Sequence, residues 1–194
     1  MTRVHTFDES LRLSHAASDL PCWRQIYDRA FPGMVAMIDH RQDGEHQRQG
    51  IDRSIILANS KQITVDEKIR FRDYNDIALE YWSKRERGQW GWVCKPLMCD
   101  FICYAFAPTG RAYLLPVPQL QQAWDVHGGE WCDRFGSIDA PNKGYTSVSC
   151  AVPVPVLFAA IGECLRVRFD PISLPQSKAG YNHVKSSNAR ADHR

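Results

Sequence analysis

The chain has 194 residues, room for one domain of ordinary size, and a hydrophobic fraction of 44% with six Trp, enough to build a core and exclude wholesale disorder. Its net charge of +2 is too small for a protein that coats nucleic acid, so contact with a polyanion would rest on a local patch. The polar start, Met1 to Leu13, and the shortness of the longest apolar run, Ala151 to Gly162 with two internal prolines, point to a cytoplasmic chain that does not enter a membrane.

Ser18 or Asp19 can cap a first helix whose opening turn holds Pro21 and whose apolar face is Trp23, Ile26, Tyr27 and Ala30; Pro32 and Gly33 end it. Met34 to Ile38 reads as a short strand, and Asp43-Gly44 as a hairpin turn. Strands are expected over Ile51 to Ala58, over Ile63 to Phe71 with period-two alternation, and over Asp76 to Trp82. Phe101 to Ala107 and Arg111 to Leu115 form a strand pair around Pro108-Thr109-Gly110, and a helix begins near Pro118 and includes Leu120 to Trp124. Tyr145 to Val152 reads as a strand, Val154 to Ile161 as a helix entered through prolines, and Leu165 to Phe169 as a last strand. Such an order gives an α/β or α+β domain, a central mixed sheet flanked by helices, over residues 1–172. From Ser173 the chain turns polar, with Lys178, Lys185, Arg190 and Arg194 against the single acid Asp192, and residues 173–194 read as a flexible basic tail.

Seven Cys, an odd number at irregular spacing, read as reduced thiols. Cys94, Cys99 and Cys103, followed by His127 and Cys132, lack the paired CxxC of common structural zinc sites, and Cys103 falls in an apolar run where a buried thiol is ordinary. The His residues show no ligand spacing.

The segment that carries chemistry is Gln49-Gly50-Ile51-Asp52-Arg53 followed by Ile63-Thr64-Val65-Asp66-Glu67-Lys68-Ile69-Arg70. Side chains alternate across a strand, so Ile63, Val65, Ile69 and Phe71 share the core face while Thr64, Asp66, Lys68, Arg70 and Arg72 share the other. Parity pairs Lys68 with Asp66 and sends Glu67 the opposite way. Hydrolysis of a phosphodiester needs charge neutralised on the phosphoryl oxygens and a water made nucleophilic, and a hard divalent cation held by carboxylates does both. Asp52 can supply the second carboxylate, Lys68 can orient or deprotonate water or stabilise developing charge, and Arg70 and Arg72 can hold phosphates. Against this stands a plain ion pair on a solvated sheet face, which contributes little.

An Asp at a strand start, a turn, then acid-x-Lys on the next strand resembles the PD-(D/E)XK nuclease superfamily. The wider run with Asp76-Ile77-Ala78-Leu79-Glu80 resembles small phage and prophage nucleases, over about Pro21 to Ala107. The resemblance implies a restriction-endonuclease-like core and Mg²⁺- or Mn²⁺-dependent cleavage of DNA. Asp52, Asp66 and the backbone carbonyl of Glu67 would be metal ligands, with Lys68 at the nucleophilic water. The sequence departs from the pattern at Ile51, where the family carries Pro, and Asp28 is only a guess for an acid on the first helix. Glu80 stands as a further acid or an exposed strand residue, and Gln49 as a substrate contact or a turn cap. Lys84, Arg85 and Arg87 with Trp82, Trp90 and Trp92 form a basic, aromatic stretch suited to a nucleic-acid backbone, or a solvated loop with its Trp turned inward. A homodimer is left open, since small nucleases that cut both strands often work in pairs. The reading from another class is a non-catalytic DNA- or protein-binding module that retains the nuclease fold.

Overall fold

The computed structural model describes residues 19–162 and 164–172, so the reading of Ser18 as a cap and of residues 173–194 as a basic tail lies outside the described residues. Helix α1 (Cys22–Ala30) opens on Pro21 with no side-chain cap, and Asp19 instead pairs with Arg41 at 2.8 Å. Its buried residues Cys22, Trp23, Ile26 and Tyr27 form the expected apolar stripe. In chain order follow β1 (Met34–Asp39), a short helix α2 (Gly44–Gln49), β2 (Arg53–Leu57), β3 (Gln62–Arg70), β4 (Asp76–Lys84) and β5 (Gln89–Trp90). Then come β6 (Phe101–Phe106), β7 (Arg111–Pro116), the long helix α3 (Val117–Phe135), β8 (Ser137–Asn142), β9 (Tyr145–Pro153), α4 (Val154–Ile161) and β10 (Leu165–Arg168).

Two sheets result. One has six strands in the order β1-β2-β3-β6-β7-β10, antiparallel throughout except between β3 and β6, which run parallel. The other has four antiparallel strands in the order β5-β4-β9-β8. The protein is therefore a mixed α/β structure with a central sheet flanked by helices.

The six-stranded sheet is covered on both faces. On one, α1 packs Trp23, Ile26 and Tyr27 against Ile55, Val65, Cys103 and Leu114. On the other, Ile102, Tyr104, Phe106 and Leu115 join Ile77, Leu79 and Val152 of the second sheet with Leu120 of α3 and Leu157 of α4. Each fully buried aliphatic such as Ile55 or Leu115 contributes about 1.5–3 kcal/mol relative to exposure. The second sheet thus roofs part of the face that carries Asp66 and Lys68.

Asp43-Gly44 is not a hairpin turn. Asp43 caps α2, its Oδ1 accepting the N–H of Glu45 at 2.9 Å and of His46 at 3.3 Å. The same side-chain oxygen that favours a turn also satisfies a helix start, and the helix formers downstream decide between them. Strand β8 gives little signal because it is an edge strand, exposed from Ser137 to Ala140, with no apolar face to alternate.

Candidate functional site

Helix α2 ends on Gly50 in the left-handed conformation, φ +72°, and a Cβ there would lie 2.5 Å from Leu97 Cδ2. The left-handed backbone favours glycine, and any larger residue would also push the Leu97 side chain aside. The turn delivers Asp52 to the head of β2, where its N–H donates to Val65 O and its carbonyl accepts from His40 N, each at 2.9 Å. The backbone of Asp52 is thereby pinned between β1 and β3. Its Oδ2 accepts the Glu67 N–H at 2.8 Å and its Oδ1 the Gln47 amide at 3.0 Å.

The register of β3 against β2 and β6 runs without a bulge, so strand parity holds through the site. Lys68 Nζ donates to Asp66 Oδ1 at 2.6 Å, with the Asp66 side chain 8% exposed and that of Lys68 31%. The Asp66 and Asp52 carboxyls are near enough for each to shift the other. Burial pushes Asp66 up to about 6, with Lys68 opposing and the neighbouring Asp52 charge adding to it. Burial acts on Asp52 in the same sense, but Lys68 and the hydrogen bonds from the Asp66, Glu67 and Gln47 groups outweigh it and hold Asp52 below the usual carboxylate range. This splitting is what two acids sharing one site produce. For Lys68, burial favours the neutral amine, yet Asp66, Asp52 and Glu80 together raise it above the ordinary lysine value. Lys68 is an ammonium here, suited to stabilising negative charge rather than to taking a proton.

Glu67 lies on the opposite face, beneath α1. Its Oε1 meets Arg53 Nε at 2.5 Å and accepts the Tyr27 hydroxyl at 2.9 Å, while its Oε2 is buried with no hydrogen-bond partner. Burial lifts it to about 7 against the pull of Arg53 and Tyr27. The N–H and C=O of an extended residue point to the same flank, which puts the Glu67 carbonyl on the Asp52 side of the strand.

Glu80 comes from the second sheet. Burial raises its carboxyl, with Lys68 and Lys95 opposing, and it shares with Lys68 the wall of a pocket of about 310 Å³. The remaining residues named from the sequence are placed differently. Arg70 is engaged by Asp76 Oδ1 at 2.5 Å and lies 4.7 Å over the Tyr74 ring. Arg72 is exposed and donates to the Tyr74 hydroxyl at 3.2 Å. The glutamine that reaches Asp52 is Gln47; Gln49 ends α2, and its carbonyl accepts the Met98 N–H at 2.9 Å. Asp28 is exposed, pairs with Arg24 at 3.0 Å, and sits on a helix that packs on the Glu67 side of the sheet. In the basic stretch, Arg85 pairs with Asp139 at 2.9 Å and Lys84 sits over the Tyr145 ring, while Trp90 stacks on Trp82.

The cysteines are free thiols, and Cys99 and Cys103 are buried in different cores. Among the described residues, the group of three or more metal-ligating side chains whose donor atoms lie within 4.8 Å is His40, Asp43 and His46. The histidines show no ligand spacing along the chain, so nothing in the sequence signalled this group. The two rings stack face to face, 3.9 Å apart and 9° from parallel, with His46 Nδ1 on Asp43 Oδ2 and His40 Nε2 on Ser54 Oγ, both at 2.8 Å. Parallel imidazoles aim their in-plane lone pairs side by side, so these rings would have to turn before both could ligate one ion. Comparison with protein-family models, curated proteins and solved structures gives no match to this chain.

Proposed function

We propose that this protein is a metal-dependent nuclease that hydrolyses phosphodiester bonds of DNA, in the manner of the PD-(D/E)XK enzymes its motif resembles. One observation carries the reading: the Asp52 carboxylate is held on the Glu67 N–H of β3, next to Asp66, whose own carboxylate grips the ammonium of Lys68 where Lys68 lines an open pocket. A solvated structural ion pair needs neither the second acid nor the opening.

The donor set fits a hard divalent cation. Two carboxylate groups and a carbonyl are oxygen ligands of the kind Mg²⁺ and Mn²⁺ take, and Asp66, raised first by burial and further by the Asp52 charge, is a carboxyl whose ionised form an added cation would favour. Bound there, such an ion would neutralise charge on the phosphoryl oxygens and acidify a water. The chain's own groups do the rest. Asp52 is fixed by the Glu67 N–H and the Gln47 amide, so its carboxylate is held in place before any ligand arrives. Lys68, kept charged by its carboxylate neighbours, is aimed at charge that develops on the scissile phosphate.

The test is incubation of the purified chain with linear, circular and branched DNA in Mg²⁺ or Mn²⁺, with a chelator as control. Metal-dependent cleavage that disappears in Asp66→Ala is expected. Failure to cut any of these, with no divalent-ion binding by calorimetry, would leave the non-catalytic module as the surviving reading.

A further inference from the structure

The pocket beside Lys68 has a composition that the cleavage chemistry does not use. Its volume, about 310 Å³, falls at the lower end of the roughly 300–1,000 Å³ typical of small-ligand pockets. Two indoles and two ammonium groups line it: Trp90, Trp92, Lys68 and Lys95, with Ser83 and Gln89 among the polar remainder. Trp82 covers one face of Trp90, ring centroids 4.2 Å apart and 10° from parallel, yet Trp90 is still 53% exposed. An aromatic ring in contact on one face and open on the other is a stacking platform.

The wall is also tightly packed. A Cβ on Gly91 would fall 2.2 Å from Glu80 O, so β5 and the chain after it approach β4 closely, and the N–H of Val93 donates to that same carbonyl at 3.2 Å. The platform is therefore held in place next to Glu80 and Lys68. Ser83 and Gln89 offer donors and acceptors of the kind that read a base edge, and the lysines suit a flanking phosphate.

We propose that this pocket binds one unpaired nucleobase of the DNA substrate, stacked on Trp90, so that the enzyme acts on flapped, branched or single-stranded DNA in preference to blunt duplex. The inference rests on the nuclease reading above. A base inside a duplex has both faces stacked and its pairing edge engaged; an unpaired one presents a face to Trp90 and an edge to Ser83 and Gln89. Contiguity with Lys68 sets the bound nucleotide directly beside the phosphodiester to be cut.

The experiment measures binding of the full chain, in chelator so that nothing is cleaved, to a labelled duplex carrying a single-stranded oligo-dT flap and to the same duplex without it. Trp fluorescence supplies a second readout. The flapped DNA should bind about tenfold or more tighter, and Trp90→Ala should remove most of that advantage, the size expected for loss of one base–aromatic stack. Trp90→Leu, which keeps apolar bulk against Trp82 but no ring, should lose it likewise, and Trp90→Phe should retain most of it. Equal affinity of the wild-type chain for both DNAs overturns the proposal, as does undiminished flap preference in a Trp90→Ala variant. Blunt duplex cut in Mg²⁺ as fast as flapped DNA would sink the pocket and spare the nuclease. No binding and no cleavage of any DNA would sink both.

Discussion

Each face of β3 contributes an acid to an ion pair, Asp66 with Lys68 of the same strand and Glu67 with Arg53 of β2, and the two pairs live in different worlds. Asp66–Lys68 lies under the second sheet at the rim of a pocket, with Lys68 partly in water and a second acid, Asp52, beside it. Glu67–Arg53 is sealed under α1, with side chains 1% and 7% exposed, a tyrosine hydroxyl on one carboxylate oxygen and nothing on the other. Each joins a carboxylate to a cation at hydrogen-bond distance, 2.6 and 2.5 Å. Access to solvent and a second carboxylate alongside distinguish the pair proposed to do chemistry from the pair that holds a helix to a sheet.

The largest effects belong to the open pair. Asp66→Ala should lower DNA cleavage by about 10²–10³-fold or more and weaken Mn²⁺ binding, because on the proposed reading it removes a ligand and the water that ligand would help activate. Lys68→Ala should lower cleavage about as far but leave Mn²⁺ affinity unchanged or improved, since a positive charge leaves the site. Titration calorimetry beside the cleavage assay separates the two. Cleavage that survives Lys68→Ala would reduce this pair to the status of its sealed counterpart.

The sealed pair should answer in stability. Arg53→Ala leaves a buried carboxyl without its cation and should cost about 3–5 kcal/mol in urea unfolding, whereas the paired replacement Arg53→Met with Glu67→Leu should recover most of that loss. Tyr27→Phe removes one hydrogen bond to the carboxylate and should cost about 1.5–3 kcal/mol. A negligible effect of Arg53→Ala would mean that Glu67 is carried neutral by other means and that the contrast between the faces is one of packing alone.

How much of this was legible beforehand follows the same division. The strand periodicity placed Asp66 and Lys68 together and Glu67 behind them, since parity is a local property and no bulge intervened. The helix at Val154–Ile161 and the stripe of α1 were equally local. What could not be read was whatever depends on which element covers which. Arg70 looked like a phosphate ligand until β4 brought Asp76 against it, and Gln47 was invisible as a partner of Asp52 because α2 itself was hidden behind an Asp-Gly that fits a turn. The pocket likewise depends on β4 and β5 closing over β3, a contact between segments with no shared signal in the chain.

An ordinary ion pair fixes the baseline for the comparison, and Asp73–Arg111 supplies it. The two side chains, each about one-fifth exposed, join the segment after β3 to the start of β7. Burial acts to raise the Asp73 carboxyl, but the Asn75 N–H, Thr109 and the Arg111 guanidinium together bring it below the usual value of 3.8. A folded-state value lower than the unfolded one means that the pair's stabilisation is present above about pH 4 and is lost as pH falls through the lowered folded value. Asp73→Asn should therefore cost about 1 kcal/mol or less near pH 7 and nothing once the pH is below the folded value, so that wild-type and variant unfolding curves converge on acidification. Added salt should shrink the difference at neutral pH, because this pair, unlike Glu67–Arg53, stands in partial contact with solvent. If the Asp73→Asn penalty matched that of Arg53→Ala and ignored both pH and salt, burial would not be what separates these pairs.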